Sequence, residues 1–429
     1  MPVRMDTLSL GEGRSPQLND RKEERVRATD LIKSGQRVFV GAATNEPISL
    51  LEHLQSEGIA SNVRFIQFPI GGINTQDFTA YNETASLETF FMTPALAKAE
   101  DPSRVHFKPM QMRWVYDYLQ SDVDVALIQV ARDRNGDLRL GPNTDFIGAV
   151  LESAQVIVAE LNHAITAPAG APRITEAKID FIFESERAIP EMAPPKIDDA
   201  ASEIGRIVSD LINDGDCLQT GIGAIPAAIL GELGNKNDLG MHGGLIDDGG
   251  MALIKAGNMN GSRKPADTGL HVTGIGLGTN AMIDWLAETQ SVVFRGANHT
   301  HEASAIAKLP NFVSINSAVE IDLFGQVNAE VAGGRQISGT GGSVDFMRGA
   351  KHSLGGRSIV AMNATAKRGE VSRIVPKVEM VTALRTDVDL VVTEYGVANI
   401  KHGSNRERAE ALIRVAAPQF RDELKASIA

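Results

Sequence analysis

DCLQTGIGAIPAAILGEL (residues 216–233) shows the local pattern on which the predicted architecture depends. It begins with a short apolar run typical of a buried strand, continues through the glycine turn 221–223, and then has the composition of a helix. Pro226 fits this interpretation because a proline near the start of a helix loses no intrahelical hydrogen bond. The stretch therefore predicts a strand, a tight turn and a helix in succession.

The same succession recurs along the chain. Apolar runs lie at 37–43, 62–68, 123–131 and 154–161, and again at 216–223, 271–278, 291–297, 312–323, 358–365 and 390–396. Near-continuous apolar runs separated by helical stretches are typical of parallel strands that are covered on both faces. We expect an α/β protein built from open parallel sheets.

A proline-rich segment divides these runs into two groups. AIPEMAPP (188–195) holds three prolines in eight residues, a composition that favours an exposed linker. We predict a flexible arm over 1–20, an N-terminal α/β domain over 21–190 and a C-terminal α/β domain over 196–429. The first domain is expected to begin with an amphipathic helix over 21–35. The second begins with a helix whose apolar face includes Ile204 and Val208 and which Gly215 ends.

Composition excludes several classes of function. The net charge of −12 provides no positive field for nucleic acid or anionic lipid, and aromatic residues make up only 5% of the chain. No secretory signal and no run of about 18 apolar residues is visible, so we predict a cytoplasmic protein without membrane contact. The only cysteine, Cys217, lies in an apolar run and is expected to be a small core residue.

Two glycine-rich segments are candidate ligand loops. In TGIGAIPAAILGEL (220–233), the turn lets the backbone approach a ligand, and the helix start offers free N–H groups to an anion or an oxyanion. An ordinary turn between a strand and a helix would have the same spacing. SGTGGSVDFMRGA (338–350) holds a more flexible loop, which is either a binding loop or a glycine hairpin. It lacks the third glycine of a dinucleotide-binding fingerprint.

His299 and His301 in ANHTHE (297–302) have the spacing of a metal-binding pair. The nine histidines are scattered, and no carboxylate accompanies this pair at helical spacing. We therefore interpret the two side chains as polar groups of a loop and predict no metal site.

Several long segments together resemble the acetyl-CoA hydrolase/transferase family of class I CoA-transferases. These segments are TGIGAIPAAIL (220–230), DLGMH (238–242), INSAVEIDLFGQVNAE (315–330), SGTGGSVDFMRGA (338–350), ATAKRGEVSRIVP (364–376), TDVDLVVTEYGVA (386–398) and NRERAEALIRVAAPQFRDEL (405–424). In the first half, VDVALIQVARDRNGDLRLG (123–141) and AKIDFIFESERAIPEMAPP (177–195) are similar more loosely.

The resemblance implies two open α/β domains with an acyl-CoA site in the cleft between them. It implies coenzyme A or acyl-CoA as substrate, no tightly bound cofactor and a homodimer or homotetramer. The CoA-facing residues would be those of the two glycine loops and one nearby cation: Gly221, Gly223, Ala224, Ile225, Gly339, Gly341, Gly342, Asp345, Phe346 and Lys367. Members of the family use a glutamate that attacks the thioester and then carries CoA as a glutamyl thioester.

This chain departs from the family at that glutamate. The family's histidine, serine and glutamate correspond here to His242, Gly243 and Gly244, while Asp248 and Gly249 still match the trailing Asp-Gly pair. A glycine has no side chain with which to attack a thioester. The glutamyl-CoA mechanism is therefore predicted to be absent from position 244.

Three hypotheses follow from this departure. In the first, the protein transfers or hydrolyses a short-chain acyl group directly, with Glu46, His242, Asp247 or Asp248 as candidate bases. In the second, it binds acyl-CoA without chemistry, as a sensor or a subunit. In the third, Glu46 or Asp247 replaces the nucleophile and CoA transfer is retained. A helix cap or a turn explains each carboxylate equally well. The acceptor would be a small carboxylate, an alcohol or a carrier-bound group. Acyl selectivity is expected to depend on residues 68–74 and 110–114.

Overall fold

The first half of the chain forms a mostly parallel sheet. The structure is a computed structural model that describes residues 27–428. The strands are β1 (Arg37–Val40), β2 (Arg64–Gln67), β3 (Ser86–Thr89), β4 (Val105–Phe107), β5 (Val125–Arg132), β6 (Leu138–Leu140), β7 (Val156–Asn162) and β8 (Phe181–Ser185). They are ordered β4-β3-β2-β1-β5-β7-β8, and β6 pairs antiparallel with β5.

The second half of the chain forms a second sheet and several two- or three-stranded ones. Its strands are β9 (Cys217–Thr220), β10 (Gly240–Met241), β11 (Leu245–Ile246), β12 (His271–Thr273), β13 (Ile275–Gly276), β14 (Val292–Phe294), β15 (Phe312–Asn316), β16 (Glu320–Asp322), β17 (Val327–Asn328), β18 (Val331–Ala332), β19 (Arg335–Gln336), β20 (Arg357–Ala361), β21 (Thr365–Ala366), β22 (Val371–Ser372), β23 (Ile374–Val375), β24 (Leu390–Thr393) and β25 (Gly396–Asn399). The main sheet has the order β10-β9-β15-β20-β24-β25, with β25 antiparallel at one edge.

Helices cover both faces of each main sheet. They are α1 (Ile48–Glu57), α2 (Met112–Leu119), α3 (Ile147–Ser153), α4 (Asp199–Ser209), α5 (Ala224–Gly231), α6 (Asp248–Ala256), α7 (Asn280–Glu288), α8 (Ala297–Thr300), α9 (Ala303–Ile306), α10 (Ser343–His352), α11 (Asn405–Val415) and α12 (Arg421–Ala426). Short 3₁₀ turns lie at Ala28–Leu31, Ala43–Asn45, Phe78–Ala80, Leu96–Lys98, Pro102–Arg104, Glu176–Lys178, Lys367–Gly369 and Pro418–Phe420.

Alternation along β1 shows why the central strands are apolar throughout. Phe39 packs into the core cluster that holds α2 and α3, whereas Val38 and Val40 pack into the cluster that holds α1 on the opposite face. Successive strand side chains point to opposite faces, so a sheet covered on both sides needs an apolar residue at every position. The predicted α/β fold with parallel sheets is confirmed.

Several predicted boundaries were wrong. The runs 271–278 and 312–323 each break into two short strands, and α4 ends at Ser209 rather than near Gly215, which has a positive φ in the following turn. Of the helix predicted over 21–35, residues 27–35 contain only a 3₁₀ turn, and the rest lies outside the described residues, as does the arm predicted over 1–20. In the first sheet β3, β4, β6 and β8 were not predicted, and neither were several of the short strands of the second half.

The two halves meet along a backbone seam. Thr144 N–H donates to Gly274 O over 2.9 Å, and Gly276 N–H donates to Pro142 O over 2.7 Å. Thr44 Oγ1 adds a bond to Gly276 O across the same seam at 2.9 Å. These bonds fix the second half against the loop that follows β6. No helix in the described part of the chain has the length and hydropathy that a bilayer crossing requires.

Candidate active site

A cavity of about 310 Å³ lies between the two halves of the chain. Its wall includes Phe39, Phe68 and Phe146 from the first half and Gly221, Gly244 and Phe346 from the second. Phe68 is in ring contact with Phe146 at 5.4 Å between centroids, which gives the first-half wall an aromatic surface. The predicted interdomain cleft is therefore present as an apolar chamber with glycines on one side.

The turn after β9 delivers the first glycine loop to the cavity. β9 is an inner strand of the second sheet, and its carboxyl end leads directly into Gly221 and then α5. A Cβ added at Gly221 would meet nothing within 4 Å, so the backbone there borders open space. Gly221 and Ile222 line the cavity, as expected of a loop that follows a parallel strand.

The second glycine loop is bonded to the first half of the chain. Thr340 Oγ1 donates to Met110 O over 2.9 Å, and Met112 N–H donates to Gly341 O over 3.2 Å. Gly339 has no room for a Cβ because the carbonyl oxygen of Phe90 lies against it. The loop thus forms a cavity wall that spans both halves, in which Gly339, Gly341, Gly342 and Phe346 all take part.

Asp345 lies behind this loop rather than in the cavity wall. Its Oδ2 accepts from the backbone N–H of Arg113 at 3.2 Å. Burial raises the pKa of Asp345 to about 7, against the opposing effect of that hydrogen bond. The side chain is placed to hold the loop against α2.

Gly244 lines the cavity next to a histidine. A Cβ at this position would lie 3.1 Å from Cε1 and 3.2 Å from Nε2 of His301. His301 also lines the cavity and is 2% exposed, whereas the sequence predicted a polar side chain of a loop. Residues 297–300 form α8, and His301 ends it. Burial, reinforced by the charge of His242, lowers the pKa of His301 to about 3.

His242, Asp247 and Asp248 have structural partners outside the cavity wall. His242 is buried, and its Nε2 lies 3.1 Å from Thr300 O. Burial lowers the pKa of His242 to about 3. Asp247 caps α6 by accepting from Gly250 N–H at 2.9 Å, and Asp248 Oδ2 accepts from Thr279 N–H at 3.0 Å.

Glu46 is buried behind the cavity. Gln67 Nε2 donates to its carboxylate over 2.7 Å, and Asn74 adds a second hydrogen bond. Burial raises the pKa of Glu46 to about 7, which those two bonds only partly oppose. The neighbouring Ala42 lines the cavity, whereas Glu46 does not.

The remaining predicted CoA contacts are separate from the cavity. Gly223, Ala224 and Ile225 border a neighbouring depression of about 230 Å³ that also includes Arg373. Burial lowers the pKa of Arg373, and its Nε has no hydrogen-bond partner among the described residues. Lys367 is exposed in the turn Lys367–Gly369 and borders neither space.

Asp145 is a cavity residue that the sequence interpretation missed. It lines the cavity, is 2% exposed, and its Oδ1 has no hydrogen-bond partner among the described residues. Burial raises the pKa of Asp145 to about 8. The signal in the sequence was the polar stretch 142–145 directly after the apolar β6, where a buried acid is unusual.

Asp145 and His301 are the ionisable side chains among the described residues of the cavity wall, and neither lysine nor arginine is present there. His299, by contrast, is half-exposed and lies 3.6 Å from Asp267. No group of three or more His, Cys, Asp or Glu between residues 27 and 428 is arranged to hold a metal ion. Cys217 is buried, as predicted, and burial raises the pKa of its thiol to about 12. The cavity wall thus combines an apolar surface with one imidazole and one carboxyl group.

Two α/β halves with an apolar chamber between them share the architecture of a solved CoA-transferase: the crystal structure of 4-hydroxybutyrate CoA-transferase from Porphyromonas gingivalis has a TM-score of 0.77 at 33% identity, covering 93% of this chain and 94% of that one. The family model of the acetyl-CoA hydrolase/transferase N-terminal domain matches residues 17–194, and that of the C-terminal domain matches residues 278–428. The chain belongs to the acetyl-CoA hydrolase/transferase family. At the level that the family defines, it is an enzyme of CoA transfer or acyl-CoA hydrolysis that uses CoA thioesters as substrates.

Relatives with assigned activities resemble the chain over nearly its whole length. The 4-hydroxybutyrate coenzyme A transferase of Clostridium kluyveri is 37% identical over 410 residues, covering 93% of this chain and 95% of the relative. The succinyl-CoA:cyclohexane-1-carboxylate CoA transferase of Geobacter metallireducens is 35% identical over 411 residues, covering 93% of each. The crystal structure of RipA from Yersinia pestis has a TM-score of 0.84 at 30% identity, covering 92% of this chain and 94% of that one.

Proposed function

We propose that this protein transfers or hydrolyses a short-chain, uncharged acyl group of a CoA thioester without a glutamyl-CoA intermediate. The observation that carries the proposal is Gly244 in the cavity wall. From the sequence motifs we expect position 244 to correspond to the family's nucleophilic glutamate, and glycine offers no carboxylate. The cavity and both glycine loops are otherwise present.

The lining of the cavity supports an uncharged acyl group. Phe68, Phe146 and Met112 offer apolar contact, and no lysine or arginine from the described residues reaches the wall to pair with an acyl carboxylate. Burying an unpaired charge there would cost on the order of several kcal/mol of binding free energy. The segments 68–74 and 110–114, which we expected to set acyl selectivity, contribute Phe68, Pro69, Ile70, Gly71 and Met112 to the wall.

The CoA portion is proposed to enter along the glycine loops. Gly221, Gly339, Gly341, Gly342 and Phe346 border the cavity and support this assignment. The depression beside Gly223, Ala224 and Ile225, with the cation of Arg373, adjoins it through Ile222 and Ser317, which border both spaces. Roles for Asp345 and Lys367 in CoA binding stay predictions.

A second candidate function is CoA transfer through a replacement carboxylate. Asp145 favours it, because it is a carboxyl group in the cavity wall with an unpartnered oxygen. Glu46 and Asp247, the replacements considered from the sequence, are bonded to other groups outside the wall. Binding without chemistry remains the third hypothesis.

Product analysis separates these functions. The enzyme is incubated with acetyl-, butyryl- and succinyl-CoA, first alone, then with acetate, and then with an alcohol or amine acceptor. We expect release of CoA thiol from butyryl-CoA in preference to succinyl-CoA, and no borohydride-trapped adduct in the mass spectrum. Thiol release without acceptor means hydrolysis, and release only with an acceptor means direct transfer.

Two results would overturn the proposal. An adduct on Asp145, Glu46 or Asp247 would establish covalent CoA transfer, and acyl-CoA binding without turnover would establish a binding protein. The domain limits 21–190 and 196–429, the cytoplasmic location, the homo-oligomer and the carboxylate, alcohol or carrier-bound acceptor stay predictions.

A further inference from the structure

The imidazole of His301 fills the space beside Gly244. The Cβ of any larger residue at 244 would approach Cε1 and Nε2 of this ring to 3.1 and 3.2 Å, closer than most side-chain contacts in proteins. On its other side the ring packs against Gly342, where a Cβ would overlap Cδ2 and Nε2. With the ring where it stands, Gly342 has no room for a Cβ, and a Cβ at position 244 would displace the ring by a few tenths of an ångström.

The ring is held in one orientation. Its Nδ1 lies 2.8 Å from Thr300 Oγ1, its backbone N–H donates to Ala297 O over 3.1 Å, and its face packs on Phe346 with centroids 4.4 Å apart. Nε2 has no hydrogen-bond partner among the described residues and belongs to a side chain of the cavity wall. The nitrogen that is free to react is the one nearer to Gly244.

Thr300 can set the tautomer. Its hydroxyl lies 3.3 Å from Gly296 O, so it can donate there while accepting the proton of His301 Nδ1. In that arrangement the lone pair of Nε2 is available in the cavity. A base whose second nitrogen is held by another group is the usual arrangement of an activating histidine.

We propose that His301 is the catalytic base of this enzyme and acts through Nε2 on the group that attacks the thioester. This inference rests on the proposed acyl-CoA chemistry and names the residue that performs it. Water is the attacking group in hydrolysis, and the hydroxyl or amine of an acceptor takes its place in transfer.

Every proton and bond of the proposed hydrolysis is accounted for. As the water oxygen bonds to the thioester carbon, a water proton moves to Nε2 and the carbonyl oxygen becomes an oxyanion. When the carbon–sulfur bond breaks, the thiolate takes the proton back from Nε2 and leaves as the CoA thiol. The product acid releases its own proton to solvent, and His301 returns to the neutral form.

Burial is consistent with this role. The low pKa of His301 keeps the ring neutral, and His242 is the ionisable neighbour that contributes to the shift. A neutral imidazole is the form that can accept a proton, and the positive charge it then gains is offset by the oxyanion that forms at the same time.

The test compares two neighbouring histidines. His301→Gln keeps a polar side chain but removes the base, and we expect kcat for thioester cleavage to fall at least about 100-fold with KM within about threefold. His299→Gln, which alters a half-exposed histidine outside the wall, should retain kcat within about twofold. Thermal melts with and without butyryl-CoA report whether each variant is folded and binds.

A wild-type protein without turnover would reject the proposed function itself. Wild-type turnover with an equally active, folded His301→Gln variant would reject only the assignment of the base. If that variant does not fold, bromoacetyl-CoA applied to the wild-type chain decides the matter. We expect alkylation of His301 that acetyl-CoA suppresses, and labelling of Asp145 alone, or of neither residue, would contradict the inference.

Discussion

At the scale of single residues, a side chain at position 244 would occupy space next to the imidazole of His301. The ring lies within 3.2 Å of where a 244 side chain would begin, so the loss of a side chain at one position makes room for an imidazole at the other. The two positions are 57 residues apart in the chain. The side chain at position 244 and the ring at position 301 are therefore coupled by packing.

A glutamate at 244 should therefore need a second change. Gly244→Glu alone is expected to lower the free energy of unfolding by about 1–3 kcal/mol, because close-packed interiors resist added volume. In Gly244→Glu/His301→Ala the removed imidazole leaves space, so stability should recover and a borohydride-trapped glutamyl-CoA adduct should form. Denaturant unfolding and mass spectrometry measure both effects, with His301→Ala alone as the control. A glutamyl adduct in the single variant at full stability would contradict the steric argument.

Asp145 gives the fold a pH-dependent stability. Its pKa rises from 3.8 to about 8 on folding, so the folded state binds the proton more tightly than the unfolded state does. The resulting contribution to the free energy of unfolding is fully present below about pH 4 and is lost as the pH rises through 8. Asp145→Asn removes this dependence and should gain stability relative to the wild type between pH 4 and 9, reaching about 1–3 kcal/mol. His242 and His301 have the opposite effect, because their lowered pKa values stabilise the fold above about pH 6.5 and this stabilisation is lost as the pH falls. Both histidines are present in the wild type and in Asp145→Asn, so their effect cancels in the difference between the two.

Urea unfolding at several pH values measures that difference. Asp137→Asn serves as control, since Asp137 is a surface residue paired with Arg173. A constant difference between Asp145→Asn and the wild type across the pH range would show that this carboxyl is not buried in the neutral form.

At the scale of elements, the start of α6 accounts for the acidic pair after Gly244. Asp247 accepts from Gly250 N–H and Asp248 binds Thr279, so both carboxylates hold the helix and its neighbour in place. A helix start leaves N–H groups unpaired, and an aspartate at the cap satisfies one of them. The aspartates resemble catalytic groups in sequence because they follow the position of the family's nucleophile.

Removing this cap should affect stability rather than rate. Asp247→Ala is expected to cost about 0.5–2 kcal/mol of unfolding free energy and to leave kcat within about twofold. Ser404→Ala provides a matched control, since Ser404 caps α11 by accepting from Glu407 N–H at 3.3 Å and borders neither the cavity nor the neighbouring depression. A hundredfold loss of kcat in Asp247→Ala without a loss of stability would restore Asp247 as a catalytic candidate.

At the scale of the whole molecule, the cavity exists only because two halves of the chain are bonded together. The Arg113–Glu302 ion pair at 2.7 Å joins α2 to the start of α9, and Thr340 and Gly341 bind the segment before α2. A ligand in the chamber contacts both halves, so its binding should stabilise the entire fold.

Gly221 is the position at which to test that coupling. Millimolar butyryl-CoA should raise the melting temperature of the wild type, and Gly221→Leu should abolish the shift because its side chain enters open cavity space. Gly231→Leu, at an exposed glycine in the last turn of α5 with equal free space, should retain the shift. Gly341 is less suitable, since its φ of +54° would strain any side chain. An unchanged shift in Gly221→Leu would place the ligand elsewhere.

The alternation of strands and helices and the family were readable from the sequence, because these depend on local periodicity and on long contiguous motifs. The domain break near residues 188–195 stays a prediction. The sequence also located the glycine loops, since a turn after a parallel strand requires them. The edge strands β4 and β8 of the first sheet escaped it because they are short and carry mixed patterns.

Only the tertiary structure decided which polar residues share the cavity. Glu46, His242 and Asp247 were plausible from their positions in sequence, yet hydrogen bonds with distant or capping partners hold them outside the wall. Asp145 and His301 were passed over, and the seam between the halves brings both to the chamber. Periodicity reports which face a residue occupies within its own element, whereas a catalytic arrangement depends on how separate elements pack, and that is fixed by contacts far apart in the chain.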